Sequence, residues 1–214
     1  GSVELGHRWV SIVAARTGEV TLVYDTVREL DHASVFPSNP EKSPNLVDTV
    51  LPVGPNGLSN SLVESLNCID KKTVKPVNMF GFNLTVHICD LVQVATANGS
   101  GDWVYEPSDV AGSMDARKDA YSEVSIYYHT AKAYAFFRGL QGEPDAQVVV
   151  DKPLKLVANL QIPAGLTSGN IQAAANPDTP LDTFQNAFFS PAEGGLGQLF
   201  SQLYGFNSGA LWFG

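Results

Sequence analysis

The stretch Asp119-Ala120-Tyr121-Ser122-Glu123-Val124-Ser125-Ile126-Tyr127-Tyr128-His129 decides the fold. Within and just beyond it, Ala120, Val124, Tyr127, Ala131 and Tyr134 recur at steps of four and three, which is one face of an α-helix. The spacing predicts a helix over residues 115–139. Asp115 or Ser113 can cap its start, where free amide groups need acceptors. Gly139 or Gly142 can end it, and Pro144 forbids continuation. Arg117, Lys118, Glu123, His129, Lys132 and Arg138 make up the remaining polar face, expected to meet solvent.

On both sides of this helix the text is β. Residues 9–15 and 20–25 are apolar and β-branched, and Arg16-Thr17-Gly18-Glu19 between them is a turn, so this is a hairpin. Residues 31–60 are rich in breakers, such as Phe36-Pro37-Ser38-Asn39-Pro40 and Val53-Gly54-Pro55-Asn56-Gly57, with one short strand over 46–51. Residues 61–106 read as a meander with strands at 61–67, 82–89, 92–95 and 103–105. After the helix, strands are expected at 148–150, 154–162, 184–190 and 210–214, with a long loop over 164–180 and a short helical turn at 199–204. The fold class is therefore α+β, made of hairpins and a meander with one long amphipathic helix. The organisation reads as a hairpin over 3–30, a turn-rich connector over 31–60 and a β-rich lobe over 61–214.

Ala210-Leu211-Trp212-Phe213-Gly214 presents large apolar side chains in a strand. Trp212 and Phe213 each gain about 2–3 kcal/mol from burial, so something is expected to cover them, either further chain or a partner chain.

The 214 residues can bury a substantial core, and 44% of them are hydrophobic while only 16% are charged. The net charge of -9 lacks the basic footprint that nucleic acids require, and it disfavours anionic membrane surfaces. Lys71-Lys72-Thr73-Val74-Lys75 is a solvated turn on this reading. No apolar run approaches the roughly 20 residues of a membrane span. Gly1-Ser2 reads as a cloning scar, and no signal peptide follows it. Asn83 and Asn98 head Asn-x-Ser/Thr sequons. Composition of this kind suits a secreted or extracellular protein. Cys68 and Cys89 sit in strand-like text and are able to close one disulfide, the alternative being two buried thiols; the exported composition favours the bridge.

No catalytic constellation is legible. His7, His32, His87 and His129 lie far apart, without the one-turn spacing that points two imidazoles at one zinc ion. No Gly-x-Ser-x-Gly elbow and no phosphate-binding loop occur. No metal ligand and no catalytic residue is therefore named.

Three segments carry a resemblance. They are Val13-Ala14-Ala15-Arg16-Thr17-Gly18-Glu19-Val20, the helical stretch 119–129, and Gln185-Asn186-Ala187-Phe188-Phe189-Ser190 followed by Gly209-Ala210-Leu211-Trp212-Phe213-Gly214. In this order they resemble secreted zinc metallopeptidases of the fungalysin and thermolysin type. The first is similar to the hairpin closing the pro-domain, the second to the helix before the active-site helix, the third to the edge strand over the substrate cleft. The family's HExxH helix comes a short way after the last segment, and this sequence ends first. The resemblance implies a non-catalytic front portion of such an enzyme, with zinc in the complete parent and none expected here, and with the catalytic half as its partner. Peptide substrate pairs with the edge strand in that family. Carried over by position, Asn186 and Ala187 would offer amide and backbone contacts and Phe189 would line a subsite. The alternative is an extracellular binding or adhesion module that keeps the same lobe. An unrelated extracellular β-sandwich is the third reading.

Overall fold

The computed structural model describes residues 9–13, 17, 20–25, 31–54, 57–74, 77–79, 82–107, 119–140, 152–193 and 203–214. Strands come first: β1 (Trp9–Val13), β2 (Val20–Asp25), β3 (His32–Val35), β4 (Val47–Val50), β5 (Val63–Thr73), β6 (Val77–Met79), β7 (Phe82–Leu84) and β8 (His87–Val92). The long helix α1 (Ala120–Leu140) follows. Then come β9 (Leu154–Ala158), β10 (Gln161–Pro163), the short helix α2 (Ile171–Ala175), β11 (Leu181–Thr183), β12 (Ala187–Ser190) and β13 (Ala210–Phe213). The fold is α+β, rich in strands, with one long helix among the described residues.

Five strands form the main sheet in the order β12-β13-β9-β5-β8. The inner three, β13, β9 and β5, run parallel, and each outer strand is antiparallel to its neighbour. Parallel neighbours need a crossover, and α1 lies on the path from β5 to β9 and packs on both. On β5 the alternating Val63, Ser65 and Asn67 are all buried. Ser65 Oγ donates to the Glu123 carbonyl at 3.0 Å and Asn67 Nδ2 donates to the Asp119 carbonyl at 3.0 Å, so these small polar side chains tie the helix to the sheet.

Each face of the sheet carries its own core. On the helix side, Ala120, Val124 and Tyr127 meet Val63 and Leu156 together with Ala33, Val35, Leu51, Leu58 and Trp103. Residues 31–54, read from sequence as connector, thus contribute Ala33, Val35 and Leu51 to the lobe's own core. On the opposite face, Trp212, Val157, Leu160 and the two cysteines are ringed by Phe184, Phe188, Tyr204 and Phe206.

Trp212 corrects an expectation. It needs no partner chain, because it is 0% exposed. Its ring stacks on Phe188 and Phe206 at centroid distances of 5.9 and 5.8 Å, and its Nε1 donates to Ser190 Oγ at 2.7 Å. Phe213 is half-buried. The strand looked sticky in sequence because its aromatic covers come from residues 184–188 and 204–206.

Other boundaries shift for local reasons. Asp119 caps α1, accepting the Ser122 amide at 3.1 Å through one carboxylate oxygen and the Ser122 hydroxyl at 2.6 Å through the other. Ser113 and Asp115 lie outside the described residues, as do Gly142, Pro144 and residues 148–150. β5 runs past residue 67 to Thr73 because Asp70, at φ 45°, sits at a register shift that lets pairing with β8 resume. The run 154–162 is broken by Asn159 at φ 54°, a left-handed conformation that Asn tolerates well. Residues 93–98 form no strand, and Trp103 makes only an isolated bridge to Ala33. The expected loop over 164–180 contains a 3-10 turn (Leu166–Ser168) and α2. The hairpin β1–β2 is paired as expected, while its turn, apart from Thr17, lies outside the described residues.

Candidate functional site

β12 is an edge of the main sheet, with β13 on one side and no strand on the other among the described residues. Its orientation follows from one bond: Gly214 N–H donates to the Asn186 carbonyl at 3.0 Å. Backbone groups alternate sides along a strand. Asn186 and Phe188 therefore face β13, and Ala187 and Phe189 direct their N–H and C=O groups to the open edge.

The open edge is partly self-capped. Asn186 Oδ1 accepts the Ala187 N–H at 2.8 Å, standing where the carbonyl of an added strand would stand. An incoming peptide must displace that side chain, and the freed amide then offers it both a donor and an acceptor. Phe189 is 56% exposed. Its ring lies across Gly209, where an added Cβ would come within 2.8 Å of it, so the missing side chain is what lets the ring settle there. Asn186 and Phe189 are three residues apart, about 10 Å along the strand. The structure thus brings Asn186, Ala187 and Phe189 onto one edge.

At the start of β12 the edge opens into a cleft of about 340 Å³, whose lining includes Ile162, Pro163, Asp182, Phe184, Gln185 and Asn186. The hairpin β10–β11 builds its far wall, with Ile162 opposite Asp182 in the register. Asn186 borders the cleft; Ala187 and Phe189 do not. The cleft was not read from sequence, since residues 162 and 182 meet only through the excursion containing α2.

Cys68 and Cys89 form a disulfide between β5 and β8. Both are fully buried; the Gln161 amide donates to Cys68 Sγ at 3.0 Å and Tyr204 Oη donates to Cys89 Sγ at 3.1 Å.

Sequence reasoning also misplaced Glu123. Far from meeting solvent, its side chain is 0% exposed. It accepts the Val94 amide at 2.8 Å and the Ala95 amide at 2.9 Å, clamping the irregular segment after β8 to the helix. Burial pushes its carboxyl up to about 7, against the opposing pull of those two amides. Its spacing, three after Ala120 and four before Tyr127, already placed it on the apolar face.

Among the described residues the histidines do not converge. His32 on β3 contacts Asp48 across the hairpin at 3.1 Å, His87 is buried on β8, and His129 stacks edge-on against Tyr128. Burial, reinforced by Lys132, lowers the His129 pKa. Among the described residues no three His, Cys, Asp or Glu side chains gather into a group able to hold a metal ion. No helix among the described residues is long and apolar enough to cross a membrane.

No family model matches the chain, and neither a curated protein nor a solved structure matches it.

Proposed function

We propose that this chain is a peptide-binding lobe that takes extended polypeptide on the open edge of β12 and serves as one wall of a cleft. The observation that carries this reading is the outward set of Ala187 and Phe189 backbone groups, held on a short edge strand that, among the described residues, an Asn side chain caps. Strand addition draws affinity from such main-chain groups and selectivity from the side-chain sites beside them, here Phe189 and the cleft at Asn186. The resemblance of residues 185–190 and 209–214 to the edge strand of secreted zinc metallopeptidases supports placing the lobe at the front of such an enzyme. In that setting the hydrolytic chemistry belongs to a HExxH half that this sequence does not contain, and no residue of this chain is assigned a step in it.

The test is binding of extended, unstructured peptides to the chain and to Ala187→Pro. Proline removes only an outward amide, so pairing with β13 is kept. Saturable binding that is lost in the variant supports the reading; equal binding by both proteins, or none by either, ends it. Zinc content and peptide cleavage, measured on the full-length gene product, separate an enzyme from an adhesion module. Binding without either favours the module.

A further inference from the structure

The cleft beside Asn186 has a chemical character of its own. Asn159 turns the chain back at the end of β9, and residues 161–183 then leave the main sheet and return as the hairpin β10–β11. Ala164 N–H donates to the Pro180 carbonyl at 2.9 Å and closes the neck of this excursion. Ala173 of α2 is buried, and α2 and β10 pack on β8, so the wall is anchored to the main sheet's far edge.

Among the lining residues Asp182 is the one ionisable side chain. It is exposed, and no ion pair holds it among the described residues. Ile162, Pro163 and Phe184 give the cleft an apolar floor, and Gln185 and Asn186 give it amide groups. A long aliphatic stem ending in a cation matches this combination, because the stem covers apolar surface while the charge stays near water and the carboxylate. The chain's net charge of -9 adds attraction for a basic ligand at long range.

We propose that the cleft takes a lysine or arginine side chain of the peptide docked on β12, with Asp182 as the residue that selects it. The inference rests on the reading of β12 as a peptide-binding edge and names the class of peptide. Asp182 is exposed, so the effect of the ion pair is modest and falls with salt.

The experiment compares a set of extended peptides that differ only in having Lys, Leu or Glu at the residue next to Asn186, tried at either end of the peptide. Affinities are measured for the chain and for Asp182→Asn, at low and at high salt. The expected result is a roughly three- to tenfold preference for Lys over Leu, a larger one over Glu, shrinkage at high salt and loss in the variant. Asp182 is exposed, so the variant keeps the fold, and the unchanged affinity of the Leu peptide controls for this. Binding of all three peptides with equal affinity overturns the inference and leaves the peptide-binding edge standing. A preference for Lys that survives in Asp182→Asn also overturns it. Failure of every peptide to bind overturns both.

Discussion

The two edges of the main sheet are built to opposite ends. At β8, three consecutive residues, His87, Ile88 and Cys89, are buried. A disulfide ties that strand to β5, α2 and β10 pack against it, and Glu123 grips the two amides that follow. At β12, Asn186, Ala187 and Phe189 are exposed, and the helix packs on β5 and β9 rather than there. Covered edges resist adventitious pairing, and a short uncovered one is a liability unless pairing is its use. The contrast teaches that openness at β12 is local, because the same molecule seals its other edge in several ways.

Trp212 is the sharpest place to break that contrast. It anchors the open side from below through Phe188 and Ser190. Trp212→Ala removes a fully buried indole and should cost about 4 kcal/mol in denaturant unfolding. Peptide binding should fall with it, since β12 loses its support. The next largest effect belongs to the sealed edge. Opening the Cys68–Cys89 bridge, which closes a separation of 21 residues, should cost about 3 kcal/mol by loop-closure reasoning. Unfolding with and without reductant measures it. Because the bridge sits at the opposite edge, the peptide affinity of protein that remains folded should not change. Equal loss of binding in both experiments would merge the two edges into one unit.

These differences were unevenly legible in the sequence. The helix was plain because Ala120, Val124 and Tyr127 keep one period, and all three are buried. Its cap was not, since Ser113, Asp115 and Asp119 all had suitable side chains and only the fold selects among them. The strand text at residues 187–190 was readable, and its edge position is a fact of strand order, which local pattern does not carry. Trp212 looked uncovered because its neighbours Tyr204 and Phe206 come from a separate stretch of loop. The break at Asn159 carried no glycine or proline to announce it, so β9 and β10 read as one strand and the cleft between β10 and β12 was hidden.

Glu123 gives the sealed edge a pH dependence. Its carboxyl lies at about 7 in the folded chain against 4.5 for the ordinary group. Folding therefore favours the protonated form. The penalty is absent below pH 4.5, grows as pH rises toward 7 and is complete above it, on the order of 3 kcal/mol. Stability of the wild type should fall across that window. Glu123→Gln removes the titration and keeps one of the two acceptor oxygens that serve the Val94 and Ala95 amides, so its stability is lower at acid pH but should change less with pH over the same interval. The difference between the two unfolding curves isolates this carboxyl from every other group. If the curves run parallel from pH 4 to pH 8, the buried acid is not being titrated by the fold.

The smallest expected stability effect is at Phe189, and there the two edges separate most cleanly. More than half of its surface is already in water, and its ring lies against Gly209. Phe189→Ser should move stability by no more than about 0.5 kcal/mol. The outward backbone of β12 stays intact, so peptides still pair with the edge. What is lost is the apolar surface that a peptide side chain would cover, and affinity should drop a few-fold for peptides with a large apolar residue at that position. Peptides with Gly there should bind both proteins alike. A substitution that leaves folding unmoved and changes affinity only for one side-chain class marks a binding surface. A substitution that lowers stability by 2 kcal/mol or more would instead make Phe189 a core residue and the edge a structural rim.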